Sequence, residues 1–140
     1  MRQILLFVAL AASLALLIGC GAAKDKPEAA KDMPDKAAYH KISAEEAYEM
    51  MASQEVVVVD VRTREEYDGG HIENAVLVPN ESIGSKMPEA LPDKEATLLV
   101  YCRSGRRSKD AAQKLLALGY QSVYDFGGVI DWPYELVKEG

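Results

Sequence analysis

A buried strand that leads directly into a cysteine loop is the feature that most limits how this chain folds. Residues 98–101 form an apolar run, Cys102 follows at once, and a helical pattern begins at Ser108. The connecting segment is short and polar and contains Gly105. A strand joined to a helix through such a loop is typical of α/β domains, in which functional residues lie where strands end.

The loop after this strand is rich in cations. Four basic side chains follow Cys102 before the first acid, Asp110, and they are Arg103, Arg106, Arg107 and Lys109. N–H groups at a helix start are unpaired and carry partial positive charge, so loop and helix both favour the reactive thiolate. We therefore expect an accessible, reactive Cys102 that binds a small anion. The alternatives are solvated surface arginines and a buried, inert cysteine.

The rest of the predicted domain, residues 39–140, alternates between strand and helix patterns. Ser43 with Glu46 and Thr63 with Glu66 are spaced as capping boxes, which mark helix starts. Strands are predicted at 56–59, 75–78, 98–101 and 122–124, and the remaining helix at 108–118. The chain is therefore predicted to be an α/β domain with a mainly parallel central sheet flanked by helices.

Residues 1–19 predict an export signal rather than part of the fold. Arg2 supplies the positive charge, and the apolar run at 4–18 is shorter than the roughly 20 residues of a comfortable membrane-spanning helix. The run ends in Leu17-Ile18-Gly19-Cys20, which resembles a bacterial lipobox. That resemblance implies cleavage before Cys20 and a lipid on its sulfur. An ordinary export signal with a chance cysteine is the alternative.

Residues 20–38 predict a lipidated N-terminus and a flexible linker, because Lys, Asp, Glu, Ala and Pro alternate there without an apolar period. The predicted location is the bacterial cell envelope, with the domain facing the periplasm in a Gram-negative cell. There, Gly21 after the cysteine favours the outer membrane. Lipid on Cys20 leaves Cys102 without a disulfide partner, since the chain has two cysteines.

The charge and the histidine count exclude other classes of partner. A net charge of −6 argues against nucleic acid and against a polybasic membrane patch, so the lipid is the predicted membrane contact. Two histidines without a cluster of cysteine or histidine predict no metal site. We expect a monomer that uses no cofactor.

Four motifs resemble those of single-domain rhodaneses, which are sulfurtransferases. The family patterns are D-V-R…E-[FY], G-H-I-x-x-A…P, C-R-S-G-x-R-S and G-G…W. The matching residues, in the same order, are Asp60-Val61-Arg62 with Glu66-Tyr67, Gly70-His71-Ile72 with Ala75 and Pro79, Cys102-Arg103-Ser104-Gly105 with Arg107-Ser108, and Gly127-Gly128 with Trp132. Asn74 stands where the family often has glycine, and asparagine tolerates left-handed backbone better than most residues.

The resemblance implies a reaction in two steps. Cys102 attacks the outer sulfur of thiosulfate, or of a related persulfide donor, and becomes a persulfide. A thiol or cyanide acceptor then removes that sulfur, so ping-pong kinetics are expected. The implied substrate-binding residues follow the cysteine and are Arg103, Ser104, Gly105, Arg106 and Arg107.

The residues around this loop, together with the matched motifs, also predict supporting roles. Arg103 and Arg106 are candidates for drawing the sulfonate end of thiosulfate, whereas Arg107 is expected to brace the loop against Asp60. Asp60 and Arg62 are expected to form a supporting ion pair near the site. His71 is expected to be structural, because an ionised cysteine needs no separate base.

Two other functions fit parts of the sequence. Tyrosine phosphatases resemble C-x5-R, but here Arg107 follows Cys102 after four residues, and a shorter loop suits one sulfur atom better than a phosphoryl group. A phosphatase or arsenate reductase of the same fold is therefore the weaker alternative. The other alternative is a non-turnover sulfur carrier or a rhodanese-like binding module.

Overall fold

Five parallel strands form the central sheet in the computed structural model, which describes residues 37–139. The strands lie in the order β1-β5-β4-β2-β3, and every neighbouring pair is parallel. Their bounds are β1 (Ala38–Lys41), β2 (Val57–Asp60), β3 (Val76–Leu77), β4 (Thr97–Cys102) and β5 (Ser122–Gly128). The predicted α/β class with a mainly parallel sheet is confirmed.

Three helices connect these strands, and two begin at the predicted capping boxes. The helices are α1 (Ala44–Ser53), α2 (Arg64–Asp68) and α3 (Arg106–Ala117), and short 3-10 turns lie at Asn80–Ser82 and Val129–Asp131. Ser43 and Glu46 cap α1 reciprocally, and Thr63 and Glu66 do the same for α2. Past the end of α3, Gly119 has φ +98°, a left-handed conformation that favours glycine.

The two faces of the sheet are covered by different helices. Leu98, Val100 and Cys102 in β4 belong to the cluster that contains the buried side chains of α3. Leu99 and Tyr101 belong to the opposite cluster, which includes residues of α1 and α2. Because side chains alternate along a strand, the pleat of β4 alone assigns Cys102 to the α3 face.

The structure differs from the prediction mainly at its edge strand. β1 was not predicted, because its residues are mostly exposed and show no apolar alternation. Its pairing with β5 needs only backbone groups. β5 extends four residues beyond the predicted strand at 122–124, and α3 begins at Arg106 rather than Ser108.

The predictions for the start of the chain lie outside the described residues. These are the signal at 1–19, the lipid on Cys20 and most of the linker at 20–38. Among residues 37–139, the structure contains no helix with the length and hydrophobicity of a membrane span.

Candidate active site

Cys102 is the last residue of β4, and the chain turns from it into α3 within a few residues. Gly105, the residue that precedes α3, has φ +100°, a conformation that glycine adopts without steric cost. This turn aims the Gly105 N–H at the cysteine, and it donates to Sγ across 3.0 Å. The structure therefore places a backbone donor directly on the sulfur.

The side chain of Cys102 is buried, which corrects the expectation that its polar loop leaves it accessible. Its exposed fraction is 1%. The reason is the strand pleat, which directs Cys102 into the core beneath α3 rather than outward with the loop. The next residues, Arg103 and Ser104, are exposed, so the sulfur lies beneath a polar surface.

Burial and hydrogen bonds to the sulfur act in opposite directions on the pKa of Cys102. Burial is the largest single influence and raises the pKa of the thiol. The backbone N–H and hydroxyl of Ser108, with the N–H groups of Gly105 and Ser104, together outweigh burial and hold that pKa below its ordinary value. Since the thiolate is the nucleophilic form, this environment favours a reactive sulfur.

The hydroxyl of Ser108 has one proton and several possible acceptors. Its Oγ lies 2.7 Å from Asp125 Oδ1, 3.1 Å from the Gly105 carbonyl oxygen and 3.3 Å from the Gly127 carbonyl oxygen. The carboxylate is the nearest acceptor and the only one of these three that carries charge, so the hydroxyl donates to Asp125 here. To stabilise a thiolate, that hydroxyl has to turn from Asp125 toward Cys102.

Asp125 is a buried carboxylate that the sequence analysis missed. Its exposed fraction is 1%, and it accepts hydrogen bonds from the Tyr39 hydroxyl at 2.6 Å and the Gly127 N–H at 2.9 Å. Lys41 Nζ lies 3.4 Å from Oδ2. An acid between two aromatic residues, Tyr124 and Phe126, is the sequence signal that marks it as unusual for a buried strand.

Arg107 braces the loop, but its partner is Glu66 rather than the expected Asp60. Nη1 and Nη2 of Arg107 donate to the two oxygens of Glu66 at 2.7 and 2.8 Å. The hydrogen bonds from Arg107 are the main cause that lowers the pKa of Glu66 to about 2. Glu66 also caps α2 through Thr63, so one carboxylate joins that helix to the start of α3.

Arg103 and Arg106 are exposed on the solvent side of the loop. Within the part of the chain that the structure describes, neither takes part in an ion pair. The backbone of Arg103 is nevertheless held, because its carbonyl oxygen accepts the Ile130 N–H at 3.2 Å. Two free guanidinium groups on a fixed backbone are suited to attracting a small anion.

Asp60 and Arg62 form a buried ion pair on the opposite face of the sheet from Cys102. Arg62 Nη2 lies 2.6 Å from Asp60 Oδ2 and 2.8 Å from the Gly70 carbonyl oxygen. The Tyr101 hydroxyl donates to the same Asp60 oxygen at 2.6 Å. These contacts tie strand ends together, and neither charge contacts the sulfur.

Gly128 allows β5 to pass directly against the cysteine loop. A Cβ at this position would overlap the carbonyl oxygen of Arg103 and lie 2.6 Å from Ser104 Cα. Real Cβ atoms do not approach other atoms so closely. The absence of a side chain at Gly128 therefore fixes how near the loop comes to the sheet.

His71 has structural contacts in this fold. Its backbone pairs with Val137 in both directions, at 2.9 and 2.8 Å, and its Nδ1 lies 2.8 Å from the Tyr67 carbonyl oxygen. The imidazole also stacks on the Tyr67 ring, with centroids 3.6 Å apart. These contacts lie around α2 rather than at the sulfur.

The fold and the site define a class of α/β protein. Its parallel sheet carries a cysteine loop at a strand end, and that loop favours the thiolate. Residues 43–133, which are well over half of the chain, match the Rhodanese-like domain family. The chain belongs to the rhodanese-like domain family. Homologues of this chain with the domain include sulfurtransferases and related enzymes.

Curated relatives contain this domain as part of a longer chain. The protein is 31% identical over 106 residues to the tRNA uridine(34) hydroxylase of Yersinia pestis (strain Pestoides F), which covers 72% of this chain and 30% of the relative. A Yersinia enterocolitica protein of the same name is 30% identical over the same length. The chain thus spans about 30% of the length of these relatives.

Solved structures of related proteins also match the chain, and two of the three described here are matched over nearly their full length. A rhodanese-related protein from Thermoplasma volcanium is 30% identical with a TM-score of 0.62, covering 72% of this chain and 100% of its own. A human single-domain sulfurtransferase, TSTD1, is 27% identical with a TM-score of 0.59, covering 66% and 93%. A thiosulfate sulfurtransferase from Pseudomonas aeruginosa is 27% identical with a TM-score of 0.64, covering 73% of this chain and 21% of its own.

Proposed function

We propose that this protein is a sulfurtransferase of the thiosulfate (rhodanese) type. It moves a sulfane sulfur from thiosulfate or a related persulfide donor to a thiol or cyanide acceptor. The intermediate is a persulfide on Cys102. The observation that carries the proposal is the donor environment of Cys102, with a backbone N–H 3.0 Å from Sγ and a lowered thiol pKa.

The chemistry needs only a stabilised sulfur anion. The Cys102 thiolate attacks the outer sulfur of thiosulfate, a new S–S bond forms, and sulfite leaves with the electron pair of the bond that breaks. An acceptor thiolate then attacks the outer sulfur of the persulfide, and the Cys102 thiolate leaves. The sulfur of Cys102 is an anion or a leaving group at each stage, so donors that stabilise negative charge assist both steps.

Charge around the loop supports a small anionic donor. Arg103 and Arg106 are exposed cations on a chain whose net charge is −6, so they form a local positive field. Arg107 is committed to Glu66, at 2.7 Å, and serves to hold the loop. We therefore assign attraction of the sulfonate to Arg103 and Arg106 and loop bracing to Arg107.

Thiosulfate:cyanide activity tests the proposal directly. A soluble chain that begins at Lys36 is expected to transfer sulfur, and Cys102→Ser is expected to abolish the transfer. Treatment with thiosulfate should add the mass of one sulfur atom to the peptide that contains Cys102. Absence of both the activity and the added sulfur in the folded wild-type protein would reject the proposal.

The phosphatase or arsenate reductase alternative predicts a different substrate for the same cysteine. Hydrolysis of an aryl phosphate, without sulfur transfer, would replace the proposed function with this one. The loop spacing argues against it, because four residues separate Cys102 from Arg107. In addition, the guanidinium of Arg107 is paired with Glu66, so it is not directed at a phosphoryl group.

A non-turnover sulfur carrier shares the first step and differs in the second. A carrier accepts one sulfur on Cys102 but does not turn over with small thiols. A binding module without catalysis accepts no sulfur at all. Steady turnover with a small thiol would identify an enzyme. A single burst of sulfite would identify a carrier, and no sulfite at all would identify a binding module.

We also propose that the protein is anchored in the bacterial cell envelope through a lipid on Cys20. The supporting observation is the sequence Leu17-Ile18-Gly19-Cys20 after an apolar run. In a Gram-negative cell the domain would face the periplasm, with the outer membrane favoured by Gly21. Mass spectrometry of the mature N-terminus should find acyl groups on Cys20, and a cleaved, unmodified N-terminus would reject the anchor.

A further inference from the structure

We propose that Asp125 is a positioning residue that controls Cys102 through the hydroxyl of Ser108. Asp125 holds that hydroxyl while the sulfur is neutral and yields it when the sulfur becomes an anion. The hydroxyl thus switches between two acceptors during the reaction cycle. This inference rests on the proposed function, because it takes Cys102 to be the reacting group.

The hydrogen bond of Ser108 to Asp125, together with the influence of Ser108 on Cys102, supports competition for one proton. Ser108 Oγ lies 2.7 Å from Asp125 Oδ1, and Ser108 is also among the donors that lower the pKa of Cys102. A hydroxyl donates one hydrogen bond at a time. Any gain in the contact with the sulfur is therefore a loss in the contact with Asp125.

The surroundings of Asp125 make such an exchange feasible. When the Ser108 hydroxyl turns away, the carboxylate keeps the Tyr39 hydroxyl at 2.6 Å, the Gly127 N–H at 2.9 Å and Lys41 Nζ at 3.4 Å. Burial and the hydrogen bond to Asp125 raise the pKa of Tyr39, so its hydroxyl stays a donor. A buried carboxylate with three remaining donors does not become an unsatisfied charge.

Polar and charged groups of β1 and α3 face Asp125 and Cys102. Lys41 and Tyr39 of β1 face Asp125, and Arg107 of α3 interacts electrostatically with Cys102. Neither Tyr39 nor Lys41 belongs to the family motifs identified in the sequence. The edge strand β1 thereby contributes to the site through Asp125.

Substitutions of the two partners should move the pKa of Cys102 in opposite directions. Asp125→Asn keeps an acceptor for Ser108 but removes its charge, and charge-assisted hydrogen bonds are about twice as strong as neutral ones. The hydroxyl then favours the sulfur, and the pKa of Cys102 falls. Ser108→Ala removes the donor, so the pKa rises.

The experiment is the pH dependence of alkylation at Cys102 in the full chain. Rates with iodoacetamide are followed by mass spectrometry on the tryptic peptide 95–103, which excludes reaction at Cys20. At a pH below the wild-type pKa, Asp125→Asn should raise the thiolate fraction several-fold, and Ser108→Ala should lower it. In the Ser108→Ala background, Asp125→Asn should have a much smaller effect.

The control for charge alone is Asp131→Asn, which removes an exposed carboxylate from the 3-10 turn after β5 and should leave the alkylation profile unchanged. A merely structural Asp125 would loosen the loop, so its substitution would raise the pKa of Cys102 and overturn the proposal. An effect of Asp125→Asn that is equal with and without Ser108 would overturn it as well. Because alkylation requires no sulfur transfer, these outcomes are independent of whether the proposed function fails.

A second variant applies if Asp125→Asn does not fold. Lys41 is half exposed, and Lys41→Met removes the cation that offsets the charge of Asp125. The carboxylate should then hold the Ser108 hydroxyl more strongly, so the pKa of Cys102 should rise. This rise should largely disappear in the Ser108→Ala background, and its persistence there would contradict the proposal.

Discussion

Arg107 and Glu66 form a two-point ion pair that joins the start of α3 to the cap of α2. The two N–O distances are 2.7 and 2.8 Å, and the side chains of Arg107 and Glu66 are 19% and 28% exposed. This parallel geometry is the strong form of the arginine–carboxylate contact. The loop that carries Cys102 is thus fixed on its solvent side by a charge pair from another helix.

The first prediction concerns the pH dependence of this pair. The pKa of Glu66 is about 2 in the folded protein against 4.5 as its ordinary value. A lowered carboxyl pKa stabilises the fold above the unfolded value, and that contribution disappears as the pH falls toward the folded value. Glu66→Gln should therefore lower the free energy of unfolding by about 2 kcal/mol at pH 7 and by little near pH 2.

Urea unfolding at several pH values measures this difference. The matched control is Asp68→Asn, which breaks the exposed Arg64–Asp68 pair, 3.6 Å apart. Exposed pairs contribute about 0–1 kcal/mol, so the control should change stability little. A Glu66→Gln effect that stays constant from pH 7 to pH 2 would contradict the assignment.

Much of the fold was predictable because its sequence signals span only a few neighbouring residues. Ser43 and Thr63 begin helices through contacts that span three residues, and the run at 56–59 is apolar on both faces. Cys102 at the end of β4 follows from the same kind of pattern. These features depend on a residue and its near neighbours, which a single sequence displays.

The missed features depend on contacts between distant segments. The Tyr39–Asp125 hydrogen bond joins residues 86 positions apart, and the Arg107–Glu66 pair joins residues 41 apart. Nothing in the local pattern shows that Arg107 faces Glu66 instead of Asp60. The burial of Cys102 was missed for a related reason, since the strand pleat outweighs the polarity of the loop that follows.

The second prediction tests the close approach of β5 to the loop. Gly128→Ala should lower sulfur transfer more than tenfold, because the new methyl group overlaps the Arg103 carbonyl and displaces the loop amides. Gly84→Ala is the control, since within residues 37–139, apart from Gly84 and its two chain neighbours, no heavy atom lies within 4 Å of its added Cβ. Transfer rates should be compared with the folded fraction from circular dichroism. Full activity in folded Gly128→Ala protein would show that the loop tolerates displacement.

The third prediction tests whether Asp60 supports the fold or takes part in substrate binding. Asp60→Ala leaves Arg62 buried, at 5% exposure, without its carboxylate. Breaking one side of a buried pair typically costs 3–5 kcal/mol, so thermal and urea stability should drop by about that amount. The fraction that remains folded should still show a lowered pKa for Cys102 by alkylation. A thiol that titrates normally in folded Asp60→Ala protein would instead place Asp60 in the machinery of the site.

The fourth prediction concerns the reactivity of the native thiol. Because hydrogen bonds to the sulfur lower the pKa of Cys102, the midpoint of its alkylation rate against pH should lie below that of a free cysteine. The same peptide in the urea-unfolded chain should titrate near the free value. The lowered pKa also means that thiolate formation stabilises the fold increasingly as the pH rises through the folded value toward the unfolded one. Identical native and unfolded profiles would remove the physical basis of the proposed function.

The last prediction assigns the free guanidinium groups of the loop. Arg103→Gln and Arg106→Gln should each raise the KM for thiosulfate roughly fivefold, as expected for about 1 kcal/mol from a solvent-exposed charge contact. These effects should shrink as ionic strength increases, because exposed charges are screened over about 10 Å at 0.1 M salt. Lys94→Gln makes the same charge change near Gly119, past the far end of α3, and should leave KM unchanged. Arg107→Gln should instead lower the stability of the fold, since the guanidinium of Arg107 is paired with Glu66. Equal KM values for wild type, Arg103→Gln and Arg106→Gln would mean that backbone amides alone recruit the donor.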